Sequence, residues 1–72
     1  MKGSERLEKF QISLAAARVN AEMTQEEVAK TLGVSKQTVV NWEKSRTEID
    51  HSQAKKLSEL YNMPLNNIFF GK

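Results

Sequence analysis

Three residues, Gly33-Val34-Ser35, separate two stretches that each read as a helix, and so short a joint leaves little freedom in how they pack. Upstream, Thr24 is a good helix-capping residue, and Glu27 three places on completes a capping box. Val28, Ala29 and Leu32 then share one face, and Gly33 supplies the left-handed turn that ends the helix. Downstream, Ser35 caps a further helix over about 36–44, in which Val39 and Trp42 turn to the same side. Helices joined this tightly cross steeply, so a small side chain is needed at the approach, and Ala29 supplies it. Val28, Leu32, Val34, Val39 and Trp42 are expected to fill the wedge between the two.

The flanks continue the helical pattern. A first helix is expected over about 5–20, with Leu7, Phe10, Leu14 and Ala17 as its apolar stripe. Asp50 caps a fourth helix with Gln53 as box partner, and Ala54, Leu57, Leu60 and Tyr61 form its inner stripe. Met63-Pro64 breaks that helix, and Pro64 opens a short fifth turn through Phe70. No alternating run and no Asn-Gly or Asp-Gly hairpin signal occurs, so no strand is expected. The 72 residues read as one all-α domain, compact and five-helical, over residues 1–72. A chain of this length buries about 60% of its unfolded surface, which leaves a small core and no deep substrate cavity.

Charge is informative only when divided. Acids and bases cancel over residues 1–34 and again over 47–72, so the net +2 lies in residues 35–46. There Lys36, Lys44 and Arg46 face only Glu43, a local positive patch of the kind that meets a polyanion. No cysteine, a single histidine and no carboxylates clustered at ligand spacing leave no general base, metal site or thiolate to assemble. No enzyme activity, cofactor or small-molecule substrate is expected. No apolar run approaches the ~18 residues of a membrane span, and the opening MKGSERLEKF lacks a signal peptide's apolar region. The expected setting is cytoplasmic, at the nucleoid, with no membrane partner.

The capped pair of helices around Gly33 is the helix-turn-helix unit, its core at about 25–44. The alternative is an ordinary helical hairpin in a small bundle. Through MTQEEVAKTLGVSKQTVVNWEKSRTE, and on through ID…LSELYNMPLNNIFF, the sequence resembles the phage repressor/Cro-like helix-turn-helix proteins. The resemblance covers nearly the whole chain. It implies a compact five-helix, lambda-repressor-like domain that binds operator DNA, usually as a homodimer, with the third helix in the major groove. Three positions depart from that pattern. Glu22 stands where the family often has glycine or asparagine, Ser45 where it has glycine, and Ile49 where proline is common.

With Val39 and Trp42 turned inward, the outer face of the third helix is Lys36, Gln37, Val40, Asn41 and Lys44. Trp42 is then core in preference to a stacking platform. In a major groove Val40 suits the thymine methyl group, Gln37 and Asn41 suit adenine N6 and N7, and Lys36 suits guanine N7 and O6 or a phosphate. The competing reading is a solvated helix face with one stray valine. Lys44 and Arg46 suit phosphate contacts that fix register without reading bases, unless Arg46 merely pairs with Glu48. From the resemblance, Gln25 is expected to bond a phosphate at the start of the second helix. Also from the resemblance, Arg18 is expected to pair with Glu43, holding the third helix in place and offering its edge to phosphate.

From Leu60 to Gly71 the chain carries no charge, and Ile68, Phe69 and Phe70 are adjacent. Either they form an exposed partner site, or Ile68 and Phe69 close the monomer core with Phe70 frayed. A two-fold contact there would set two reading helices about one DNA turn, ~34 Å, apart. The reading that results is a sequence-specific regulator of double-stranded DNA, acting as a homodimer on an inverted repeat. It would be a repressor: Cro-like, a mobile-element control protein or an antitoxin-type autorepressor. The rival is a protein-interaction module that uses the uncharged Ile68-Phe69-Phe70 region.

Overall fold

The structure, a computed structural model, describes residues 11–70. Four α-helices each begin on a side-chain cap. Ser13 accepts from the Ala16 amide and opens α1 (Leu14–Asn20). Thr24 accepts from the Glu27 amide and opens α2 (Gln25–Leu32). Ser35 accepts from the Thr38 amide at the head of α3 (Lys36–Glu43), and Asp50 from the Gln53 amide at the head of α4 (His51–Leu60). Short polar oxygens at these four positions satisfy amides that a helix cannot satisfy itself. At α2 the box closes fully, because the Glu27 carboxylate accepts from the Thr24 amide at 2.8 Å. At α4 it does not: Gln53 Oε1 is buried with no hydrogen-bond partner among the described residues.

The helices also end alike. Glu22, Gly33, Ser45 and Asn62 follow the four helices at φ of 60°, 74°, 57° and 53°. After each, the next amide donates to the carbonyl five residues back: Met23 to Arg18, Val34 to Ala29, Arg46 to Asn41 and Met63 to Ser58, at 2.9–3.2 Å. This is the Schellman closure, which uses a left-handed residue to return orphan carbonyls to the chain. Glycine fills only one of the four places, so Glu22 and Ser45 adopt the left-handed turn without it.

Three expectations are corrected: the extent of the first helix, the fifth helix and the absence of strands. The first helix does not run from residue 5 into 20; within the described residues it starts at Leu14. Residues 5–10, with Leu7 and Phe10 of the expected stripe, lie outside the described residues. Ahead of α1, β1 (Ile12–Ser13) is extended and pairs in parallel with β2 (Ile68–Phe69), Ile12 opposite Ile68 and Ser13 opposite Phe69. The fifth helix is likewise a single 3-10 turn (Leu65–Asn67) after Pro64, and it gives way to β2. The described architecture is therefore four α-helices, one 3-10 turn and a two-stranded bridge. The β-branched Ile12 and Ile68 favour the extended backbone, and pairing there lets Ile68 enter the core.

Leu14, Ala17, Val28, Ala29, Val39, Trp42, Leu57, Tyr61 and Ile68 form one buried cluster drawn from all four helices and β2. Leu32, Val34, Ile49, Leu60 and Met63 pack around its edge. Ala29 is buried on the α2 face toward α3, as the steep joint at Gly33-Val34-Ser35 requires. Burial of Val39 and Trp42 fixes how α3 is rotated. It leaves Lys36, Gln37 and Lys44 exposed, with Val40 and Asn41 half-buried. No helix among the described residues is long and apolar enough to cross a membrane.

Candidate nucleic-acid interface

The outer face of α3 exists because two apolar residues one turn apart, Val39 and Trp42, are taken into the core. Gln37 and Asn41, also one turn apart, are joined: Gln37 Nε2 donates to Asn41 Oδ1 at 3.0 Å. The two amides thus form one unit, and Val40 lies beside it on the same helix. Lys36, at the first position of α3, is 3.7 Å from the Glu26 carboxylate on α2. Lys44 and Arg46, beyond the end of α3, are exposed and make no ion pair among the described residues; no contact links Arg46 to Glu48.

Behind this face, α1, α2 and α3 meet on one carboxylate. Arg18 donates to Glu43 through Nε at 2.7 Å and through Nη2 at 3.4 Å, while its Nη1 donates to the Met23 carbonyl at 2.9 Å. Gln25 Nε2 donates to the same carboxylate at 2.9 Å. The Glu43 side chain is only 6% exposed and that of Arg18 16%, so this is a shielded, forked ion pair, not a surface one. Three donors on one acid explain how a carboxylate can sit this deep. Gln25, expected to face a phosphate, here spends one amide hydrogen on Glu43.

Tyr61 closes the arrangement from α4. Its hydroxyl is buried without a partner among the described residues. Burial first, and then the Glu43 carboxylate, push its pKa up to about 12, with Arg18 opposing. Between the heads of α2 and α3 an open polar cleft of about 250 Å³ is lined by Arg18, Thr24, Gln25, Glu26 and Lys36. Glu26 and the Met23 carbonyl are absent from the sequence reading. The only signal for Glu26 was an acid and a base at the heads of two helices that cross steeply.

Ile68, read as a partner-site residue, lies elsewhere: it is 2% exposed and belongs to the core. Phe70 packs against that core, and Phe69 alone of the three stands out, 48% exposed. Of the alternative, in which Ile68 and Phe69 close the core and Phe70 frays, the burial of Ile68 holds, while Phe69 and Phe70 exchange places.

The family model described as helix-turn-helix matches residues 14–68, which spans α1 through the start of β2. The chain belongs to the Cro/C1-type helix-turn-helix family. No curated protein and no solved structure matches it. As a helix-turn-helix protein it is a DNA-binding regulator, and its partner is double-stranded DNA.

Proposed function

We propose that residues 1–72 form a single DNA-binding domain that regulates transcription by occupying a specific operator. In this reading α3 enters the major groove, where Lys36, Gln37, Val40 and Asn41 read base edges. Lys44 and Arg46, with the Gln25 end of α2 and the outer edge of Arg18, hold the phosphates on either side. The observation that carries the reading is the rotation of α3: with Val39 and Trp42 buried, the four candidate readers lie together on its outer side, next to Lys44 and Arg46, which make no ion pair among the described residues. Glu43, Gly33, Ala29 and Trp42 support that rotation from behind.

The protein acts as a Cro-like repressor or mobile-element control protein, in the cytoplasm at the nucleoid, with no enzyme activity and no cofactor. Two copies bind an inverted repeat. Phe69 is the contact between them, since Ile68 is taken by the monomer core. The rotation of α3 favours this over a purely protein-binding role, for which, among the described residues, the exposed apolar side chains of Val19 and Phe69 speak. Selection of bound sequences from a random duplex pool tests the whole reading. A palindromic consensus with half-site centres about one helical turn apart is the expected result. Recovery of no consensus would refute base reading, and a single unrepeated half-site would refute the dimer.

A further inference from the structure

We infer that Glu26 is a specificity-determining residue, which masks Lys36 from sequence-independent contact with DNA; the inference rests on the duplex-reading assignment above. Lys36 Nζ lies 3.7 Å from Glu26 Oε2, across the heads of α3 and α2, and both residues line the cleft between them. Their side chains are 56% and 74% exposed, so charge and not burial holds the pair, and it opens at small cost. Among the described residues no second acid lines the cleft to compete for Lys36. Glu43, behind it, is already taken by Arg18 and Gln25.

The consequence is a recount of the positive patch. Glu43 is neutralised by Arg18 and Lys36 by Glu26, which leaves Lys44 and Arg46 as the cations of that stretch with no ion pair among the described residues. Moving Lys36 from Glu26 to a phosphate exchanges one ion pair for another and leaves a bare carboxylate against the backbone. Moving it into the groove adds hydrogen bonds to guanine O6 and N7, which a random sequence supplies only at some positions. The pair therefore withdraws one cation from sequence-independent binding and reserves it for base reading. Specificity rises because the wrong site is weakened.

The salt dependence of binding to a fluorescent random-sequence duplex tests this, because each lysine that neutralises a phosphate steepens the plot of log affinity against log salt by about one. Glu26→Gln should steepen the slope measurably, by up to about one. Glu26→Gln with Lys36→Ala should return it to the wild-type value. Glu26→Gln with Lys55→Ala has the same net charge but changes an exposed residue on α4, away from the cleft, and should keep the steeper slope. An unchanged slope for Glu26→Gln overturns the assignment. So does a gain that survives Lys36→Ala, which would mean repulsion by Glu26 itself, or one that Lys55→Ala also erases, which would mean net charge alone. Failure of the base-reading assignment registers separately, as absence of a consensus in the pool selection.

Discussion

Glu22 and Ser45 hold φ of 60° and 57°, where a Cβ crowds the following carbonyl at a cost of about 1–2 kcal/mol each. Glycine would remove that cost and restore about 0.5–1 kcal/mol of chain entropy to the unfolded state. Glu22→Gly should therefore stabilise the domain by roughly 0.5–1 kcal/mol, which thermal unfolding would register as a rise of several degrees. Gly33→Ala should do the reverse, a net loss of about 0.5–1 kcal/mol, through the backbone alone, since a Cβ built there meets no atom within 4 Å. Tyr61 gives a second residue-scale prediction, in pH. Its pKa is raised from 10.0 to about 12 in the fold, so the folded state keeps a proton that the unfolded chain loses. Stability is full below pH 10 and falls by on the order of 2–3 kcal/mol as pH rises to 12. Tyr61→Phe should abolish that alkaline loss in denaturant titrations. At neutral pH it should cost little, because the hydroxyl has no hydrogen-bond partner among the described residues.

At the scale of elements, the Glu43 carboxylate is the point through which α1 and α2 hold α3. Removing one member of a shielded pair strands the other, so Glu43→Ala should destabilise by about 3 kcal/mol in urea unfolding. Arg18→Met with Glu43→Leu should recover much of that loss, since apolar replacements leave no buried charge behind. A double variant no better than Glu43→Ala would show that the carboxylate acts on something other than Arg18. On the outer side of α3, the Gln37–Asn41 hydrogen bond makes two amides one reader. Gln37→Ala and Asn41→Ala should each relax sequence preference more than they weaken binding to random duplex. The double variant should lose little beyond either single one, because residues acting as a unit are not additive. Fully additive losses in duplex titrations would separate the two amides again.

At the scale of the whole molecule, the two ends of the described chain close on each other. Ile12 pairs with Ile68, and Gln11 donates to the Asn66 carbonyl at 3.2 Å. Ile68→Ala should cost about 2–4 kcal/mol, since its side chain is fully buried and links β2 to the helical core. Its neighbour Phe69 should behave in the opposite way. Phe69→Ser should leave stability within about 0.5 kcal/mol, yet weaken binding to a two-half-site operator and spare a single half-site. Equal losses on both duplexes would remove Phe69 from the two-fold contact.

What could be read from the residues alone was what rests on local chemistry. The caps at Thr24, Ser35 and Asp50, the glycine stop at 33, the breaks between helices and the inward register of Val39 and Trp42 depend on side chains a few residues apart, whereas the Ser13 cap did not show in the pattern. The face that α3 presents follows from the same spacing. What needed the tertiary structure was every pairing between segments distant in sequence. Two-residue strands are too short to show alternation, so the bridge between β1, just ahead of α1, and β2 left no pattern to find. The exposure of Phe69 beside buried Ile68, and the choice of Glu26 as the partner of Lys36, depend on which surfaces the helix packing brings together. Sequence periodicity determines which way a side chain points from its own helix. Only packing decides what it meets.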